Sequence, residues 1–274
     1  MYLTRDVRFS INPFLAEQVQ GNNPYACKPS GQGLSIFLEL GVTLNGLVSK
    51  DTGFVVNVCD IDQCVRKHIV PVFTDRICNQ YSRHKDLSYH DLSNLLRISK
   101  DLVAHCFGPD RLQRLTLKLN PYKNLAISCQ GIVMFFLSEK FEFAAMHKLW
   151  NTTFSERQNE AVFGKCANPT GHGHNYIIEI TLKTDEASNI DSIEFERTIS
   201  TYLIDELDHK NLNEDVPYFQ RHNPTMENIA HYAWDQLSTH MKSDTLYCIT
   251  VWESDRTQCR FYGPNSIDIQ ETVI

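Results

Sequence analysis

The chain is written twice. Ser30-Gly-Gln-Gly-Leu-Ser-Ile-Phe-Leu-Glu-Leu40 and Thr170-Gly-His-Gly-His-Asn-Tyr-Ile-Ile-Glu-Ile180 share a G-x-G frame that runs into an alternating segment. Alternation of this kind marks a half-buried strand. Upstream, Val7-Arg-Phe-Ser10 resembles Phe141-Glu-Phe-Ala144. Downstream, each half holds two helix-like stretches and then two strand-like ones, at 59–72, 89–105, 112–120 and 124–130, and again at 192–206, 225–240, 246–254 and 257–262. Each half therefore reads β-β-α-α-β-β. This predicts an α+β protein of two tandem domains, 1–132 and 133–274, each with two helices on one face of its sheet. The helix at 225–240 is the clearest: Ile229, Ala233, Trp234 and Leu237 share a face, Thr225 fits an N-cap, and Glu227 and Asn228 fall in the first turn.

The two copies differ in chemistry. In the second, His172 and His174 are two apart on a strand and point to one face, and Cys166 stands just before them. Phe143, Ala145 and His147 share a face of the preceding strand, so a hairpin-like return brings His147 beside the other two. Three His with an open position is the arrangement of a catalytic zinc. Cys166 as a fourth ligand, closing a structural site, is the alternative. Against it, the spacer to His172 contains Pro169 and Gly171 and can carry the thiol elsewhere. In the first copy Pro13, Gln32, Leu34 and Ala26 stand opposite His147, His172, His174 and Cys166, with Cys27 one place along. Losing all the ligand positions together is what is expected if those histidines act as one unit.

Bulk properties exclude some functions. A formal charge of −7 over 274 residues argues against a general nucleic-acid binder, which needs a basic surface. The nine cysteines form no CxxC pair and are expected to be reduced and buried as small hydrophobes. Without an apolar signal core near Met1 or an apolar run approaching ~18 residues, a cytoplasmic protein with no membrane partner is the expectation.

Phe163-Gly-Lys-Cys-Ala-Asn-Pro-Thr-Gly-His-Gly-His-Asn-Tyr176 resembles the signature of the 6-pyruvoyltetrahydropterin synthase family. Leu207-Asp-His-Lys-Asn-Leu-Asn213 with Asp215-Val-Pro-Tyr-Phe219, Thr225-Met-Glu-Asn228 and Val251-Trp-Glu-Ser-Asp255 resemble further blocks in the same order. The resemblance covers about 139–263 and implies antiparallel tunnelling-fold domains. It also implies a zinc-dependent lyase that turns 7,8-dihydroneopterin triphosphate into 6-pyruvoyltetrahydropterin with loss of triphosphate. By the same resemblance His147, His172 and His174 hold Zn2+, Cys166 is the general base with Asp208 and His209 as its partners, Glu253 anchors the pterin, and Thr225 and Glu227 help line its pocket. It implies a homo-oligomer, most simply a trimer of two-domain chains forming two stacked rings, with sites shared between neighbouring second halves.

Departures accompany the match. The family's T-G-x-V-x-N segment is missing from the second half, which runs from Lys183 to Asp191 instead, and present in the first from Asp51 to Asn57. The Cys166-to-His172 spacing favours the pyruvoyl-forming branch. A 6-carboxytetrahydropterin synthase, a side-chain-cleaving relative and a pterin-binding module with structural zinc remain as alternatives.

Overall fold

The computed structural model describes residues 1–15, 17–19, 28, 33–185, 190–241 and 245–264. The chain forms two compact units, chiefly Met1–Leu137 and chiefly Ser138–Lys183 with Asp191–Ile269.

In the first unit, β1 (Tyr2–Ile11), β2 (Ile36–Asn45), β3 (Leu112–Asn120) and β4 (Lys123–Ser128) form an antiparallel meander in that order. The apolar residues alternate as the pleat requires. Val7 and Phe9, Leu40 and Val42, Leu115 and Leu117 are all buried. Phe9 meets Phe73 edge-on at 5.6 Å, joining sheet to helix. Glu39, buried among these strands, is held by Arg8 at 2.7 Å and by an ion pair to Lys118. Burial opposes its charge, and the two cations outweigh burial, so its carboxyl lies below the usual range.

The first helical stretch runs further than the sequence predicts. It begins as α1 (Val58–Cys64), widens through a π-helical turn at Val65–Ile69, and continues as α2 (Val70–Ser82) past Pro71. A proline lacks the N–H that an uninterrupted α-helix would use. Placed in the first turn of α2, directly after the wide turn, it removes no bond that α2 needs. Asn57 caps α1 by accepting from the Cys59 N–H.

Next comes α3 (Tyr89–Phe107), which starts with a capping box between Ser88 and Asp91. Asp91 also pairs with Arg76. Burial pushes the Asp91 carboxyl up, but the bonds from Arg76 and Ser88 win and bring it to about 2. A carboxyl depressed in the folded state adds stability above its unfolded value, and that stability fades as pH falls toward the folded value. Asp91→Asn should therefore cost about 1–2 kcal/mol at neutral pH, after discounting for the half-exposed Arg76. The difference from the parent should vanish near pH 2 in denaturant titrations.

The second unit has strand order β5 (Phe135–His147), β6 (His172–Thr184), β8 (Leu246–Ser254), β9 (Thr257–Phe261). A two-residue strand, β7 (Lys210–Asn211), pairs parallel with β5. Between β5 and β6 lies α4 (Glu156–Phe163), where the sequence reading assigns no element. Its signal was present: Ser155 and Gln158 form a capping box. A 3-10 turn, Gly164–Ala167, follows it.

The first long helical stretch of this unit also contains a π-helical turn. α5 (Ser192–Ile199), the turn at Ser200–Ile204 and α6 (Asp205–Leu207) run continuously. Asp191 caps α5 through the Ile193 and Glu194 N–H groups, the job Asn57 does for α1. After α7 (Leu212–Asp215) comes α8 (Met226–Ser238). Ile229, Ala233 and Leu237 of α8 are buried as the periodicity predicts, with Trp234 half-buried. Thr225 caps the helix by accepting from the Asn228 N–H.

The cysteine expectation needs correction. The eight described cysteines are free, but only Cys64 and Cys248 are buried, and Cys59 and Cys106 are exposed. Cys59 sits in the first turn of α1 and Cys106 near the end of α3. Cys27 lies outside the described residues, as do Ala26 and Gln32. Among the described residues no helix is long and apolar enough to cross a membrane.

Candidate metal centre and thiol

β5 and β6 are neighbours, so the sheet itself brings His147 to His172 and His174. The three imidazoles lie edge-to-face. Ring centroids are 4.6 Å apart for His147–His172, 5.1 Å for His147–His174 and 4.6 Å for His172–His174. His147 is buried, and its Nδ1 lies 2.7 Å from the Pro224 carbonyl. A carbonyl only accepts, so Nδ1 carries the hydrogen and the Nε2 lone pair faces the cluster. Burial, with His172 and His174 adding to it, lowers the His147 pKa to about 4 and keeps the ring neutral.

The donor atoms fall into two overlapping groups sharing His147. One is His147, Cys166 and His172; the other is His147, His174 and Glu253; within each, the atoms lie within 4.8 Å of one another. His147 Nε2 and His172 Nε2 are 3.2 Å apart. Two nitrogens at tetrahedral positions ~2.0–2.1 Å from zinc stand about 3.3 Å apart, so this spacing fits a shared ion. His172 Nε2 faces both His147 Nε2 and the Cys166 sulfur, and its buried Nδ1 has no hydrogen-bond partner among the described residues. The residues fit a zinc ion.

The spacer does not carry Cys166 away. Asn168 turns the chain, its carbonyl accepting from the Gly171 N–H at 2.9 Å. The Cys166 carbonyl accepts from the Leu149 N–H, and its sulfur lies 3.8 Å from His172 Nε2. Burial first, and then Glu253, push the Cys166 thiol up. Burial and Glu253 thus both oppose a thiolate at this position, and a cation nearby would favour it.

Gly171 is essential to this turn. Its φ is +69°, and a Cβ there would come 2.9 Å from the His147 carbonyl oxygen and 3.1 Å from Met146 Cε. Both the backbone conformation and the close approach require glycine. Gly171→Ala should cost about 1–3 kcal/mol of stability. It should also weaken metal binding, by separating β6 from β5 where the ligands meet; thermal melts with and without metal would show both effects.

The Asp208–His209 pair braces β5. Asp208 Oδ1 accepts from the Ala144 N–H at 2.8 Å, and the His209 N–H donates to the Ala144 carbonyl at 2.6 Å. Asp208 Oδ2 meets His209 Nδ1 at 2.8 Å. The Ala144 N–H, foremost among these contacts, lowers the Asp208 pKa. His209 has φ +57°, unfavourable for a non-glycine residue, and its side chain is 83% exposed. No hydrogen bond or ion pair among the described residues joins this pair to Cys166 or the imidazoles. Asn213 pins the end of β5 through both polar groups of Lys148.

Thr225 uses its side-chain oxygen as a helix cap, and Glu227 is exposed in the first turn of α8, where its charge reaches the Cys259 thiol. Two participants escape the sequence reading. Tyr176, fully buried, stacks on Phe143 at 4.9 Å and places its hydroxyl 3.3 Å from His147 Nδ1. Its signal was its position, two residues beyond His174 and on the same strand face. The Pro224 carbonyl had no such signal, because a backbone group shows no residue type.

A mostly antiparallel α+β unit with three histidines on neighbouring strands, and a thiol on the turn before the second strand, presents a candidate metal site. Comparison with known proteins defines the lineage. Residues 136–264 match the family model described as 6-pyruvoyl tetrahydropterin synthase. The chain is 38% identical over 136 residues to the 6-pyruvoyl tetrahydrobiopterin synthase of Drosophila melanogaster, covering 47% of this chain and 80% of that one. It is 37% identical over 139 residues to the Homo sapiens protein of the same name, covering 49% and 93%. The solved 6-pyruvoyl tetrahydropterin synthase of Caenorhabditis elegans aligns at 30% identity over 47% of this chain and 96% of that one, with a TM-score of 0.45. This chain belongs to the 6-pyruvoyl tetrahydropterin synthase family.

Proposed function

We propose that the second unit is a zinc-dependent lyase that converts 7,8-dihydroneopterin triphosphate to 6-pyruvoyltetrahydropterin with release of triphosphate. Family membership supports the lyase class. The observation carrying the site is the gathering of Cys166 with His172, and of His174 with Glu253, around the shared His147 in the matched region. A zinc ion held by the three histidines would polarise a substrate oxygen and acidify the adjacent C–H bond. Cys166 takes that proton, and Asp208 orients His209 as its partner. Glu253 accepts parallel hydrogen bonds from the pterin's amino and ring N–H groups, and Thr225 and Glu227 border the pocket through the turn whose Pro224 carbonyl holds His147.

The exposure of His209, on a backbone conformation it does not favour, supports a role across a subunit boundary. The assembly we propose is a trimer of two-domain chains forming two stacked rings. A solution mass near that of one chain would overturn it. Residues 1–132 are proposed to be a duplicated copy without a metal site, and 133–274 the catalytic copy. The matching element order supports this, as does a π-helical turn in the first long helical stretch of each unit.

A second reading, a pterin-binding module with structural zinc, draws on the nearness of the Cys166 sulfur to His147 and His172. Zinc-loaded protein incubated with dihydroneopterin triphosphate separates the readings. A pyruvoyl product by mass supports the proposal. A carboxy or hydroxymethyl product assigns a sister activity, and tight pterin binding without turnover supports the module.

A further inference from the structure

The first unit contains a cavity of about 570 Å³, lined by Cys64, Cys106, Lys67, His68, Arg111 and Asp60 among others. Its size suits a small-molecule ligand. Cys64 lies at the end of α1 and Cys106 at the end of α3, yet their sulfurs are 2.7 Å apart. That is inside the roughly 3.5–4.0 Å at which unbonded heavy atoms rest and approaches the ~2.05 Å of an S–S bond. The two are free thiols, one buried and one exposed.

We propose that Cys64 and Cys106 form a redox-active thiol pair that is oxidised to a disulfide by a small carboxylate-bearing disulfide entering this cavity. The inference is independent of the chemistry in the second unit. The order of events follows from the geometry. The Cys64 S–H donates to the Cys106 sulfur, and Cys106 is the exposed member of the pair. Burial pushes the Cys64 thiol up to about 12, so Cys64 is not the first nucleophile. Cys106, exposed, attacks the incoming disulfide R–S–S–R. The Cys106 sulfur bonds to one sulfur of the reagent, the reagent's own S–S bond breaks, and the other half leaves as RSH. Cys64 then attacks the Cys106 sulfur, forming Cys64–S–S–Cys106 and releasing the second RSH. Two electrons pass from the protein to the small disulfide, and each thiol proton leaves on a released RSH.

The cavity wall favours an anionic oxidant. Lys67, His68 and Arg111 face it against the single carboxylate of Asp60 among those lining groups. Arg111 is fixed by donating to the carbonyls of Asn45 and Val55, which holds its charge in place.

The test treats the reduced full chain with oxidised glutathione, quenches with an alkylating agent and maps the peptides. The expected product joins the Cys64 and Cys106 peptides with loss of two hydrogens, before exposed Cys59 is modified. Cys64→Ser should accumulate a stable glutathione adduct at Cys106, and Cys106→Ser should leave Cys64 free. Lys67→Ala should slow the reaction with oxidised glutathione but not with cystamine, a cationic disulfide. The pair is refuted if Cys59 reacts while Cys64 and Cys106 stay unlinked. Equal slowing of both reagents, or of neither, refutes the anionic oxidant.

Discussion

Replacing His147 by alanine is expected to abolish metal binding. His147 is the member common to both donor groups and the most buried of the three imidazoles. Its tautomer is set by Pro224, and the Tyr176 hydroxyl lies 3.3 Å from the same nitrogen. Loss of a supporting hydrogen bond alone typically costs 10–100-fold in metal affinity, so loss of the ligand should cost more than about a hundredfold. The substitution also leaves a buried carbonyl and hydroxyl short of a partner, at about 1–3 kcal/mol. His174→Ala is therefore the companion variant, since His174 is only partly buried and its removal disturbs less packing. Metal content after dialysis, read beside a thermal melt, separates ligand loss from unfolding. Retention of zinc at the parent affinity in a folded His147→Ala protein would remove His147 from the ligand set.

Cys166→Ala is expected to keep zinc and lose turnover by about 10²–10⁴-fold, the usual contribution of a positioned base. A free thiol at pKa ~8.5 needs roughly 2 kcal/mol to ionise near neutrality. Burial and Glu253 both raise that requirement here, and a cation bound beside the sulfur would lower it. Metal binding and base strength are then linked, and the two variants should differ in kind: His147→Ala loses both functions, Cys166→Ala only one. If Cys166→Ala sheds zinc instead, the sulfur is a ligand and the base assignment falls. The 3.8 Å contact to His172 makes this the decisive comparison.

How far the site could be read in advance varied with the residue. His172, His174 and His147 were legible because strand alternation has period two and a short return joins neighbouring strands. Tyr176 obeyed the same rule and was passed over because an aromatic residue there also reads as core. Cys166 was placed wrongly in one respect: Pro169 and Gly171 suggested a spacer able to lead the thiol away, but the Asn168 turn folds it back onto His172. The stretch from Ser155 to Phe163 carried a capping box but was assigned no element. In the first unit, the helix predicted over 59–72 continues to Ser82, because a π-helical turn just upstream accommodates Pro71.

By itself the sequence determined the mixed α+β class, the long strands and the main helices, the residue types of the candidate centre and the family, since each depends on local periodicity or on motifs contiguous in the chain. Only the tertiary structure decided that His147 belongs to both donor groups, that Pro224 selects its tautomer, that Cys166 lies against His172, and that Cys64 meets Cys106. Those contacts join residues on separate elements. Their distances follow from how strands and helices pack, which a linear pattern does not encode.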